Sequence, residues 1–226
     1  MKNAIHSIAT YARNTCGRGL FLILMISLTG CALKAPSASP SLYDFGPGRV
    51  SRSADAAPAP APTTPALRPL IVADIDASPA LESNAVLYRL AYADAQQLKP
   101  YAQARWSMAP AQLVRQRLRE HLGHNRTLLN PGDSVGKGKP APITLRLELE
   151  EFSQLFDSPA TSVGLLHLRV TVVQAHNASE QTLAQRMIVV QRPAATADAA
   201  GGVRALTAAT DAAIQEINAW LHTLAL

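Results

Sequence analysis

The apolar and polar positions of this chain change period several times, and each change predicts an element. Near the start, Leu20-Phe21-Leu22-Ile23-Leu24-Met25-Ile26 forms an unbroken apolar run behind a segment whose only charges, Lys2, Arg13 and Arg18, are basic. A basic leader, about 10 to 12 apolar residues and then small residues is the layout of a secretory signal, too short for a bilayer that takes about 20. From Ala32 to Ala66 the pattern is lost in Ala, Pro and Ser, most plainly in Ala57-Pro58-Ala59-Pro60-Ala61-Pro62. Such a stretch buries too little to offset ordering and predicts an extended spacer at about 3.1 Å per residue. Within it, Leu42 to Gly46 alternates and ends in Gly, predicting a short edge strand docked on the body.

Regular patterning resumes at Leu70-Ile71-Val72-Ala73-Asp74-Ile75, between Pro69 and Pro79, which predicts a central strand. Val86 to Tyr92 predicts a second strand and Gln97 to Tyr101 a shorter one. The period then becomes helical. Pro110 suits a first turn, and Leu113, Val114, Arg117, Leu118 and Leu122 recur at three- and four-residue steps until Gly123 supplies a stop. Arg115, Arg119 and Glu120 are expected to face water.

Thr127 to Leu129 predicts a short strand, and Asn130 to Pro142 a loop. Ile143, Leu145, Leu147 and Leu149 then alternate with Thr144, Arg146, Glu148 and Glu150, the pattern of a strand with one buried face. Phe152 and Phe156 fall on the other parity, which a bulge near Glu150-Glu151 would explain. Val163 to Val173 and Leu183 to Val190, joined by a turn across Ala175 to Gln181, predict an antiparallel pair. Asp198 is placed to cap a last, long helix whose stripe is Val203, Leu206, Thr210, Ala213, Ile217, Trp220 and Leu224. Together these elements predict an α/β domain with a mixed sheet, two main helices and antiparallel late strands.

The residues that close the apolar run, Leu28-Thr29-Gly30-Cys31, look like a bacterial lipobox. In that motif the Cys thiol is acylated, as with palmitate, and becomes the new N-terminus. Each buried CH₂ is worth about 0.8 kcal/mol, so several acyl chains on Cys31 would hold the protein on a membrane. By resemblance to enterobacterial lipoproteins, Ala32 in place of Asp favours the outer over the inner membrane. The division expected is therefore residues 1–30 as signal peptide, 31–66 as lipidated Cys and tether with the docked strand at 42–46, and 67–226 as one domain.

Composition narrows the function. The leader carries three of the 21 basic side chains and none of the 16 acidic ones, so the mature chain is near neutral at about +2. No basic run or aromatic-basic interleaving offers a grip on nucleic acid. The two cysteines are Cys16 in the leader and Cys31 in the lipobox, which leaves no thiol for a disulfide, a metal or a nucleophile.

Local motifs for catalysis fail on context. Gly132-Asp133-Ser134-Val135-Gly136 matches a hydrolase string, but that string works where a strand runs into a helix. Here Asn130-Pro131 precedes it and Pro140 and Pro142 follow. The same loop imitates a phosphate-binding loop with the wrong spacing and with Pro140 where Ser or Thr is needed. His121 and His124 lack a nearby third ligand and suit a helix C-terminus; His167 has no evident partner. Glu148, Glu150 and Glu151 read as a solvated face before they read as an acid-base pair. No catalytic residue, metal site or cofactor is expected. Phe152, Leu155 and Phe156 are the exception among apolar residues: core packing is the simpler reading, but past a bulge they could expose a surface for a protein partner or an acyl chain.

Tyr43 to Gly46, Leu87-Tyr88-Arg89, Pro100-Tyr101 through Arg105-Trp106, Pro110 with its helix, the block Leu147 to Phe156, Ala184-Gln185-Arg186, and Asp198 to Gly202 leading to Trp220-Leu221 together resemble the PqiC-like auxiliary lipoproteins of ABC-type transport systems. The resemblance implies a single three-layer α/β domain similar to the N-terminal domain of TolB. It also implies an outer-membrane lipoprotein facing the periplasm, with an MCE-domain protein and an inner-membrane ABC permease as partners in moving lipid or hydrophobic solutes. Phospholipid contact and a homo-oligomer would fit that role. The Ala/Pro insertion from Ser51 to Pro65 departs from the compact family pattern. Two other readings compete: a lipoprotein that activates a cell-wall synthase, which would share anchor, tether and small α/β domain, and an envelope esterase using Ser134.

Overall fold

A computed structural model describes residues 39–48, 67–133, 135–136, 140–176 and 179–224. The signal segment, Cys31, the Ala57 to Pro62 tether and Ser134 lie outside the described residues. The elements are β1 (Ser41–Tyr43), β2 (Leu70–Ala77), a 3₁₀ turn (Pro79–Leu81), β3 (Ala85–Leu90), α1 (Ala91–Asp94), β4 (Ala95–Trp106), α2 (Pro110–Gly123), β5 (Leu128–Leu129), β6 (Ile143–Phe156), β7 (Ser162–His176), β8 (Ser179–Pro193) and α3 (Ala199–Thr223).

All eight strands join one mixed sheet whose hub is β6. Along its whole length β6 pairs antiparallel with β7, from Ile143↔Gln174 to Phe156↔Ser162. Its other edge is shared end to end. β2 runs parallel to the first half, through Leu70↔Ile143 and Ala77↔Leu149. After the excursion through the 3₁₀ turn, β3 resumes parallel pairing at Tyr88↔Gln154. The sheet therefore forks: β5 extends it beyond β2, while β4 and then β1 extend it beyond β3. Leu70 to Ile75 lies inside the sheet, flanked by β6 and by only two residues of β5.

Several boundaries differ from the sequence expectation. β3 stops at Leu90, and Ala91 to Asp94 make one helical turn that reverses the chain into β4. β4 covers 12 residues, well beyond Gln97 to Tyr101, because Arg105 and Trp106 are held by β3 on one side and β1 on the other. β7 and β8 run on to His176↔Ser179, a tighter connection than the seven-residue turn anticipated. The bulge is where the change of parity put it, between Leu149 and Glu151. It lets Leu149 and Phe152 both face inward despite their odd spacing.

Both long helices lie against one face of the sheet. On that face stand Leu145, Leu147, Leu149 and Phe152 of β6 and Leu166, Leu168, Val170 and Val172 of β7, each no more than 1% exposed. Gly164 of β7 meets the backbone of α3 at Ala205 and Leu206. The helices join each other through Arg117 of α2 and Asp211 of α3, Nε to Oδ1 at 2.9 Å. The mixed α/β class holds, with one eight-stranded sheet and three helices, and the face opposite the two long helices is charged along the first half of β6. Arg146, Glu148, Glu150 and Arg169 stand there, and charged side chains favour water over a packed helix.

The α3 stripe also drifts from the expected one. Ile214 and Leu221 are buried at 2% and 0%, whereas Trp220 and Leu224 are only partly covered. At 3.6 residues per turn a stripe of alternating three- and four-residue steps slides around the helix over six turns. Asp198 caps α3 by accepting from the Gly201 N–H at 2.7 Å and from the Thr196 hydroxyl at 2.8 Å. The Gly201 bond, then the Thr196 bond, hold its carboxyl below the ordinary carboxylate pKa. Replacing Asp198 by Ala is expected to cost about 1 kcal/mol in urea unfolding at neutral pH. A depressed folded-state pKa gives stability that is present above the unfolded value near about 4 and is lost as pH falls through the folded one, so the gap to Asp198→Ala should close in acid.

Candidate docking surface

The buried centre of the domain is aromatic. Phe45, carried inward by the loop after β1, packs edge-on against Trp106 at 5.6 Å between ring centroids, and Trp106 packs against Phe152 at 5.6 Å. The Phe45 loop is held by local chemistry: the Gly46 N–H bonds the Asp44 carboxylate at 2.7 Å, and Gly46 takes φ +70°, a conformation Gly adopts without penalty. From α2, Arg117 reaches the Phe45 carbonyl at 3.1 Å while holding Asp211, so one guanidinium ties the loop to both helices.

This packing settles the places of Phe152, Leu155 and Phe156. Phe152 is 1% exposed and Phe156 6%, both on the helix-covered face, so neither side chain forms a surface. The bulge restores the inward parity that their spacing from Leu149 lacks. Leu155 alternates to the open face, opposite Val163, and is partly exposed. Of the three, Leu155 alone is open to contact from outside.

The face around Leu155 is built from cross-strand rows and is only partly open, since Ser153 and Leu165 beside it are buried at 0% and 8% exposure. Ser153 is opposite Leu165, Glu151 opposite His167, Glu148 opposite Arg169 and Arg146 opposite Thr171. Arg89 of β3 crosses to Glu151 with a two-pronged contact, at 3.2 and 2.9 Å, and also donates to the carbonyls of Ala95 and Gln96. Glu151 further accepts from the Ser153 hydroxyl at 2.6 Å. A bidentate Arg-carboxylate pair fixes geometry as well as charge, so β3 is bolted to β6 beside Leu155. Arg169 pairs with Glu148 and Glu150, and Arg146 with Glu180. Of the carboxylates expected to be solvated, Glu148 and Glu150 are exposed but paired, whereas Glu151 is part-buried in its pair with Arg89.

On the helix side, a polar chain runs under the α3 N-terminus. The Tyr101 hydroxyl donates to Gln154 Oε1 at 2.8 Å, and Gln154 Nε2 donates to Ser162 Oγ at 2.8 Å. Burial, then Tyr88 and Asp198, raise the Tyr101 pKa, so its phenol stays a donor at any physiological pH. Sequence reasoning missed this chain, since a buried Gln on a strand carries no periodic signal and its partners lie on β4 and β7.

The remaining candidates fall apart in space. His121 and His124 line a cleft of about 80 Å³ with Arg117, Glu120 and Asp211. No cluster of three His, Cys, Asp or Glu able to hold a metal occurs among the described residues. Ser134 lies outside the described residues, in the stretch of chain between β5 and β6. Arg115 does not simply face water: it donates to the carbonyls of Ala73 and Val72, where β2 shifts register against β6. No helix of the described residues is long and apolar enough to cross a membrane.

A family model described as the ABC-type transport auxiliary lipoprotein component matches residues 52–218. No curated protein matches the sequence. Among solved structures, a Xanthomonas campestris protein of the DUF330 family superposes with a TM-score of 0.59 at 17% identity, covering 74% of this chain and 90% of that one. An uncharacterized protein superposes at 0.50 and 15% identity, covering 82% and 99%. At such identities the likeness concerns the fold.

Proposed function

The chain belongs to the family of ABC-type transport auxiliary lipoprotein components, and from that membership we propose a non-catalytic subunit that is anchored by acylated Cys31 in the outer membrane and faces the periplasm. It docks an MCE-domain protein and, through it, an inner-membrane ABC permease, in a system that moves lipid or hydrophobic solutes across the envelope. The observation that carries this reading is the match over residues 52–218, which takes in every strand of the sheet but β1, together with most of α3. The open face supports it: paired charges fix its shape, and Leu155 offers apolar contact beside the Arg89–Glu151 bolt. The tether is the short stretch between Cys31 and the docked β1, while Ala57 to Pro62 lies along the chain between β1 and β2, two strands of the same sheet.

The anchor is tested by labelling cells with palmitate and separating the two membranes. Label on the wild-type chain in the outer-membrane fraction, lost in Cys31→Ser together with sedimentation, is the expected result. Label retained by Cys31→Ser, or an unlabelled chain, would refute the anchor; a labelled chain in the inner membrane would refute its placement.

A further inference from the structure

Among the described residues the sheet ends on three strands. β1 and β5 offer three and two residues, whereas β8 offers 15 and pairs with β7 alone. A long unpaired edge is a template for another strand, and folded proteins blunt it with charge, proline or a bulge. β8 is blunted at its ends only. The register jumps at Leu183, between Val172↔Ala184 and Val173↔Thr182, and the other end closes with Arg192-Pro193. Between them Met187-Ile188-Val189-Val190 carries no charge. Ile188 and Val190 turn to the helix-covered face at 0% and 6% exposure, while Met187 and Val189 stand out on the open face at 42% and 52%. The adjacent charge, Arg186, is drawn to Glu216 of α3 at 2.7 Å.

We infer that β8 pairs antiparallel with β8 of a second copy of this chain, about a two-fold axis through Ile188. Directly opposite residues in an antiparallel pair share a face, so the side chains select the register. Centred on Ile188, Met187 of each copy lies opposite Val189 of the other, and the four exposed apolar side chains close into one cluster on the open face. Gln185 then meets Gln191, Arg186 meets Val190, and Arg192 meets Ala184, so no like charges oppose each other. Moving the axis to Val189 sets Arg186 against Arg192 of the second copy; moving it to Met187 leaves Val189 against Gln185. The bulge at Leu183 ends the pairing on one side and the proline on the other. The interface is isologous, and each sheet continues into its neighbour.

The test is sedimentation of the full acylated chain in detergent. Wild type is expected to be a dimer. Val189→Lys and Met187→Glu should each raise the dissociation constant by at least about tenfold while leaving the thermal midpoint of the domain in place, since both side chains are solvent-facing. Combining Val189→Lys with Met187→Glu in one chain sets the new ammonium of each copy against the new carboxylate of the other, and should restore the dimer. A monomeric wild type, a dimer indifferent to Val189→Lys, or a double variant that stays dissociated would each overturn the inference. So would strand pairing of β8 with a different protein while the chain itself stays monomeric.

Discussion

Phe152→Ala is expected to lower stability by about 3–5 kcal/mol, because the ring is fully buried between Phe45 and Trp106 and its loss leaves a cavity that β6, paired along both edges, cannot close. Leu155→Ala, three positions on and facing the other side of the sheet, should cost less than about 1 kcal/mol. Urea unfolding of the two variants checks the contrast. If the partner docks on the open face, Leu155→Ala should weaken its recovery from the envelope while the fold stands. A Phe152→Ala protein that unfolds at the wild-type midpoint would mean that the aromatic centre is not the core of this domain.

Gly164→Val is expected to cost about 3 kcal/mol or more. A Cβ built on Gly164 comes within 2.6 Å of the backbone of α3 at Ala205 and Leu206, and a backbone cannot swing aside as a side chain can. The helix would have to lift from β7, opening contacts along Leu206, Ala209 and Ala213. The same variant should raise the rate of amide exchange in the first turns of α3, where a Cβ on Gly202 would come within 2.0 Å of the Gln154 side chain. A variant that keeps wild-type stability would show that helix and sheet have slack the packing does not suggest.

The sequence carries the elements whose signal is local. Pro110, the stripe from Leu113 to Leu122 and the alternation from Ile143 to Leu149 locate α2 and the first half of β6, because burial on one face imposes a period. The change of parity at Phe152 gives away the bulge for the same reason. Long-range geometry has no such signature. That β2 and β3 share one edge of β6 depends on the excursion through Pro79 to Leu81, which reads only as a loop. Arg89 and Glu151 find each other across 62 positions. Phe152 and Phe156 read as a possible surface because a bulge permits either outcome, and only the helices packed over that face decide it. The β8 edge escapes notice for the opposite reason: Met187 and Val189 look like an ordinary half-buried strand, and nothing in their spacing says that no neighbour pairs there.

Docking within a transport system is the account's central claim, and crosslinking followed by affinity purification of the acylated chain from intact envelopes tests it most directly. Mass spectrometry of the eluate should find an MCE-domain protein and its ABC permease, both depleted when Leu155 is replaced by Ala. A cell-wall synthase recovered in their place, or an eluate with no transport component, would contradict it.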